Sequence, residues 1–323
     1  MTAGTRTAAT TAGLTIRPAR AEDLADCAAI WRIAINDYTG RLGQVEIPTE
    51  LGPITRLYAH LHATDPERFI VAEVPGEAPE IVAFGAATVR ERLWYLSMLF
   101  VLPRFQGSGL GRELLERLLP TDPDIVRAVA ADSAQPISNA LYAKLGMVPR
   151  MPLFNLVGLP QRPEAFGELP SGVVPLSFDE IAAGPPDGQG HRLLADAVDE
   201  LDRELLGVAH PVDHRFLRSE SRRGWLYRGP DGTPVGYAYA GEAGRVGPIA
   251  VLDTALLGPV LGHVTSVVMP RGAFSMWAGG AADGAVVTAL AAGFRMEPFP
   301  VLLCWDRPFA DFSRYVPISP GLL

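Results

Sequence analysis

The chain reads as an α/β (mixed α+β) protein of two tandem domains, each a mixed, largely antiparallel sheet flanked by helices. Three observations point there. Strand-like apolar segments alternate with segments of helical spacing along the whole sequence. The order also recurs, with strand ends at Val101-Leu102 and Val251-Leu252 and helix ends at Leu145-Gly146-Met147 and Ala292-Gly293-Phe294. Finally, 323 residues, 48% hydrophobic and 20% charged, can fill two cores, since a common domain needs only ~150 residues.

The elements follow in order. A short strand at 14–17 leads through Pro18 into a helix at 21–35, whose Leu24, Ala28, Trp31 and Ile35 share one face. Pro48, Gly52 and Pro53 loosen the chain before a helix near 54–63. Strands are expected at 69–73, 81–89 and 94–101, the first two joined at Pro75-Gly76-Glu77. Gln106 to Gly111 is a glycine-rich turn, and 112–119 a helix with leucines at helical spacing. Then come a strand at 124–130, a helix at 136–145 opened by Pro136 and stopped by Gly146, and a strand pair at 148–159.

The proline-rich stretch 160–171 is the expected linker between a domain at 14–159 and a second at 172–323. The second repeats the rhythm: a strand at 173–176, helices at 190–206 and 212–220, and strands at 225–228, 235–239 and 246–252. An apolar helix, a strand at 273–277 and a helix stopped by Gly293 complete it. Residues 1–13, Thr/Ala-rich without an apolar core segment, are expected to be a disordered tail rather than a signal peptide.

Composition narrows the partners. A net charge of -8 and a pI near 5.3 argue against a nucleic-acid surface. No apolar run reaches the ~18 residues of a membrane span, so a cytoplasmic protein without membrane partners is expected. Cys27 and Cys304 are too few for a disulfide framework, and Cys27 sits in a helical apolar pattern as a core thiol. His60-x-His62 and His210-x-x-x-His214 have metal-compatible spacing, but no Cys or paired carboxylate completes a site in the sequence; packing or surface roles and no metal are expected. The acidic segment 195–205 (Asp196, Asp199, Glu200, Asp202, Glu204) reads as a solvated helix face.

The chemistry concentrates at Gln106-Gly107-Ser108-Gly109-Leu110-Gly111. A strand, a glycine turn and a helix start aim backbone N–H groups at an anion. The glycines let the backbone turn tightly and approach phosphate oxygens, while Arg112 offers a cation at the rim. A dinucleotide fingerprint fails because Arg112 stands where its third glycine belongs, and a Walker loop fails because no Gly-Lys-Ser/Thr follows.

Gln106, Gly109 and Gly111 fit the Gln/Arg-x-x-Gly-x-Gly/Ala motif of the GNAT superfamily of acyl-CoA N-acyltransferases, which residues 14–159 resemble. Leu141-Tyr142-Ala143-Lys144-Leu145-Gly146-Met147 is similar to that family's Leu-Tyr-x-Lys-x-Gly-Phe pattern, with Met for Phe, and Ile16-Arg17-Pro18-Ala19 resembles its opening. The resemblance implies an acyl-CoA donor, acetyl-CoA first, with its pyrophosphate on Gln106, Gly107, Ser108, Gly109, Leu110, Gly111 and Arg112. It implies that Leu99, Phe100 and Val101 splay from the neighbouring strand and bind the pantetheine arm as an added strand. Tyr142 would be the general acid that protonates the thiolate leaving a tetrahedral intermediate, and Asn139 would meet the pantetheine amides. The base stays open among Glu91, Asp37, Glu46, Glu50 and a water chain past Ser97.

The second half lacks both requirements. Counting from the strand end puts Pro259, which has no N–H, opposite Gly109, and counting from Gly293 puts Ala289 at the tyrosine position. A degenerate, supporting copy is expected there. The acceptor is expected to be the amine of a small molecule. Alternatives are a protein N-terminus or lysine, a longer acyl donor, or a CoA-binding module without turnover. The sequence does not choose between monomer and homodimer.

Overall fold

In the computed structural model, residues 13–183 and 189–323 are described. The expected tail, up to residue 12, lies outside them. The chain divides into two compact units, the described part of Met1–Val89 with Trp94–Ile125, and Arg90–Leu93 with Val126–Leu323.

The first unit has β1 (Thr15–Pro18), α1 (Leu24–Thr39), α2 (Gly52–Thr64), β2 (Phe69–Val74), β3 (Glu80–Arg90), β4 (Leu93–Val101) and α3 (Leu110–Leu118). Its strands lie in the order β1-β2-β3-β4, with β1–β2 and β2–β3 antiparallel. α1 buries Leu24, Cys27, Ala28, Ile30 and Ala34, the stripe its spacing calls for. α2 contributes Tyr58, whose ring lies 5.3 Å from Phe84; Phe84 stacks in turn on Phe69 and Phe100 at 5.9 and 5.7 Å. Arg17 fastens the sheet edge, donating to Asp23 at 2.6 Å and to Glu73 at 2.7 Å. Burial alone would raise the Asp23 pKa, but Arg17 and the Arg20 N–H outweigh it and hold the carboxyl below its usual range.

The second unit has β5 (Val126–Asp132), α4 (Pro136–Lys144), β6 (Val148–Gly158), β7 (Val174–Ser177), α5 (Phe178–Ala182), α6 (Gln189–Leu205), α7 (Pro211–Ser219), β8 (Arg222–Arg228), β9 (Pro234–Gly241) and β10 (Arg245–Val251). It continues with α8 (Leu257–Val267), β11 (Phe274–Gly279), α9 (Asp283–Ala292), β12 (Arg295–Met296), β13 (Val301–Trp305) and β14 (Tyr315–Val316). Its strands run β5-β13-β6-β11-β10-β9-β8-β7, all pairs antiparallel except β10–β11.

The strand pair expected at 148–159 is instead one 11-residue strand, β6. No turn interrupts it, because its partners come from far along the chain. β13 pairs its first half, with a register shift between Leu303 and Cys304, and β11 pairs Leu153 to Gly158. β13 also pairs β5, tying β5 and β6 to the C-terminal end of the chain. Compact units and sequence repeats are therefore cut at different places. The proline-rich 160–171 stretch carries a single turn, Pro163–Phe166, whose buried Phe166 packs edge-on to Phe294 at 6.2 Å.

The acidic face of α6 is not uniformly solvated: Asp202 is fully buried. Hydrogen bonds from Tyr237 and with His214 replace its water. No described helix is long and apolar enough to cross a membrane.

Candidate active site

Leu110, Leu114, Leu115 and Leu118 are all buried, and Leu118 sits so close to β3 that a Cβ on Gly85 would be 2.7 Å from it. This packing fixes where α3 starts. Ahead of it Gly107 and Gly109 hold φ of 83° and 92°, a left-handed backbone that side chains resist. A Cβ on either glycine would meet nothing within 4 Å, so the turn faces open space. Within the helix the first-turn N–H groups have no carbonyl to bond. Gly109 supplies no capping side chain, and the Leu110 N–H reaches Ser108 Oγ at only 3.4 Å. Gln106, Gly107, Gly109 and Arg112 are exposed, while Ser108 and Gly111 are half-buried. An uncapped helix start behind two left-handed glycines suits a pyrophosphate by its amides and partial positive charge.

Gln106 braces the turn to its strand, its Nε2 donating to the Val101 carbonyl at 3.0 Å. Leu99, Phe100 and Val101 are half-buried, whereas Leu93 to Met98 are buried; core packing relaxes where β4 approaches the turn. A Gly111 Cβ would lie 3.6 Å from Val101 Cγ2, an ordinary contact, so the first turn of α3 packs against the end of β4 here.

Tyr142 and Asn139 belong to the second unit, on α4. Tyr142 is buried, and α4 ends in a left-handed Gly146 (φ 90°), with the Met147 N–H returning to the Tyr142 carbonyl at 3.0 Å. Burial, with a smaller contribution from the Cys304 thiol, pushes the Tyr142 hydroxyl well above the ordinary phenol range. It keeps its proton at neutral pH. Asn139 donates its Nδ2 to the carbonyls of Asp132 and Gln135, both at 2.9 Å, while its Oδ1 is buried without a partner among the described residues. Of its amide, the oxygen remains for a ligand.

Each carboxylate weighed as a base is engaged. Asp37 pairs with Arg41 at 3.1 Å and Glu46 with Arg32 at 3.5 Å. Glu50 accepts the Gly52 N–H at 3.0 Å, and Glu91, in the second unit, holds Arg203 at 2.9 Å. Ser97 is buried in β4. Sequence reasoning missed Asp65, a buried carboxylate that accepts the Val89 N–H at 3.0 Å and the Thr64 hydroxyl at 2.8 Å; it braces the end of α2 against β3. His62 packs on Phe69, its Nε2 3.1 Å from the Ala19 carbonyl. Burial raises the Cys27 pKa and pushes the Cys304 thiol up to about 12, so both are inert core thiols at neutral pH.

The places that the sequence count sets opposite Gly109 and Tyr142, at α8 and α9, are closed. Asp253 follows β10 and accepts the Ala255 N–H at 2.9 Å, so a carboxylate already lies just ahead of α8. A Cβ on Gly258 would meet the Phe166 carbonyl at 2.8 Å, and Pro259 removes an amide from the first turn. Ala289 is fully buried in α9.

Residues 27–147 match the acetyltransferase (GNAT) family model. The matched stretch includes the end of β4, the glycine turn, α3 and Tyr142. The fold of the chain is similar to those of solved acetyltransferase structures. A Pyrococcus horikoshii protein assigned as an acetyltransferase superposes with a TM-score of 0.72 at 15% identity, covering 97% of this chain and 96% of that one. A GCN5-related N-acetyltransferase of Sphaerobacter thermophilus gives 0.60 at 18%, covering 94% and 99%. A tandem GNAT protein from the clavulanic acid biosynthesis pathway gives 0.51 at 16%, covering 91% and 99%. No curated protein matches the sequence.

Proposed function

We propose that this protein is an acetyl-CoA-dependent N-acetyltransferase acting on the amine of a small molecule. The observation that carries the reading is the uncapped start of α3 behind Gly107 and Gly109, which offers amides to a pyrophosphate in the segment matching the GNAT model. In this reading 14–159 does the chemistry and 172–323 is a supporting copy, the latter favoured by the carboxylate and proline at the start of α8.

The neutral amine adds to the thioester carbonyl, and collapse of the tetrahedral species expels the CoA thiolate. Tyr142, held protonated by burial, donates the proton that the thiolate takes up and regains one from solvent before the next turnover. The half-buried end of β4 (Leu99, Phe100, Val101) lies along the pantetheine arm, and Asn139 Oδ1 accepts from one of its amides. The amine's own proton leaves to solvent, since every carboxylate weighed for the task is bound elsewhere.

The test is thiol release from acetyl-CoA across a panel of small amines, peptides with free N-termini and lysine peptides. Release with a small amine supports the proposal. Release only with peptides reassigns the acceptor, and saturable acetyl-CoA binding without release for any acceptor makes the chain a CoA-binding module.

A further inference from the structure

Three ligand-type side chains meet in the second unit. Asp202 on α6, His210 at the start of α7 and His214 one turn later are all buried, and one ligand atom from each lies within 4.8 Å of the other two. Asp202 Oδ2 is 2.7 Å from His214 Nε2 and 3.2 Å from His210 Nε2, so both Nε2 atoms lie near the same oxygen.

The surrounding groups sort the atoms of this cluster. Tyr237 donates its hydroxyl to Asp202 Oδ1, occupying that oxygen and leaving Oδ2 toward the imidazoles. Tyr239 lies 3.0 Å from His214 Nδ1, which leaves Nε2 inward. His210 turns its Nδ1 toward Asp213 Oδ2 at 3.6 Å, and Arg90 grips Asp213 at 2.7 and 2.9 Å. Each ligand thus has one atom facing a neighbour and one atom converging, the arrangement by which outer groups orient metal ligands.

His210 supplies the independent observation. Its side chain is 1% exposed, yet neither ring nitrogen has a hydrogen bond among the described residues. Its nitrogens are near carboxylates but aligned with neither. A buried imidazole with both nitrogens unsatisfied is costly unless something accepts a lone pair. A cation at the convergence point accepts one. It also adds charge beside Asp202, a buried carboxylate whose pairing partners among the described residues are the two histidines rather than an arginine or lysine.

We infer that Asp202, His210 and His214 form a binding site for one divalent transition metal ion, zinc by its donor set of two imidazoles and a carboxylate. Zinc holds such ligands at about 2.0–2.2 Å, which places tetrahedral ligand atoms about 3.3–3.5 Å apart. The 3.2 Å pair opens by about 0.1–0.3 Å to reach that spacing, and the 2.7 Å pair by about 0.6–0.8 Å. Three protein ligands leave a fourth position for water. The ion staples α6 to the start of α7 beneath Tyr237 and Tyr239 of β9, so its role is to hold this unit together. The cluster does not depend on the acyl-transfer reading.

The experiment uses untagged full-length protein, stripped with a chelator and titrated with zinc chloride against a competing chelator. One equivalent per chain is expected, with a raised melting temperature. Cobalt(II) in its place should show the visible ligand-field bands of a low-coordinate site. His210→Ala should lose that equivalent. Tyr239→Phe, which removes an orienting hydroxyl and keeps the ring, should retain it with affinity lowered about 10–100-fold. The proposal is overturned if the wild-type chain takes up no zinc and melts unchanged. It is equally overturned if His210→Ala binds zinc as tightly as the wild type; the cluster is then a buried hydrogen-bonded network.

Discussion

α3 and α8 each start just after the end of a sheet strand, yet they present different surfaces to an anion. α3 is entered through Gly107 and Gly109 at positive φ, has no capping side chain, and faces open space. α8 is entered through Asp253, whose carboxylate already accepts a backbone N–H, and its first turn holds Pro259 and lies against the Phe166 carbonyl. The helix dipole is common to both. What differs is that the start of α3 lies open, whereas α8 follows a turn capped by Asp253 and starts beneath the Phe166 carbonyl. Tyr142 on α4 and Ala289 on α9 are both buried, but Tyr142 carries a hydroxyl where Ala289 has a methyl group.

Substitutions can break or sharpen this contrast. The largest effect is expected from Tyr142→Phe, which should lower kcat about 10²–10⁴-fold and leave acyl-CoA binding largely intact; single-turnover thiol release separates the two. Because burial raises the Tyr142 pKa, the acid stays protonated as pH rises, and the wild-type rate should show no alkaline loss at or below the ordinary phenol value of about 10. Next comes Gly109→Val, which forces a β-branched residue to a φ of 92°. Moving the α3 amides should raise KM for acyl-CoA about 10–100-fold, and an unchanged KM would remove the turn from the site.

Ser108→Asp is a smaller, more pointed change that gives α3 the carboxylate α8 already has. It should weaken acyl-CoA binding about 2–10-fold while raising the melting temperature slightly through capping. The smallest effect on binding is expected in the second unit. Asp253→Ala should cost about 1 kcal/mol of stability in denaturant titration and create no acyl-CoA affinity, because Pro259 and Phe166 still close the helix start.

Much of this was legible in the chain itself. The glycine turn was readable because each residue from Gln106 to Gly111 acts through local backbone geometry, and local geometry follows local sequence. Most strands and helices were readable for the same reason. β6 was misread as a strand pair because its partners, β11 and β13, lie more than 100 residues along the chain, and no local pattern announces them. Asp202 was placed on a solvated face because three residues of the same helix segment, Asp196, Glu200 and Glu204, do not share its burial. His210 and His214 stand at metal-compatible spacing in the sequence, but no local pattern joins Asp202 to them; the chain's passage from α6 into α7 does.

The sequence alone determined the alternation of strand and helix, the turn that leaves α3 uncapped, and the proline in the first turn of α8. Those properties depend on which residues adjoin one another. Tertiary structure decided that β13 inserts between β5 and β6, that Phe166 covers the start of α8, and that Asp202 turns inward to two histidines. These follow from packing between distant segments, where burial energy is set by the neighbour a residue meets rather than by its place in the chain.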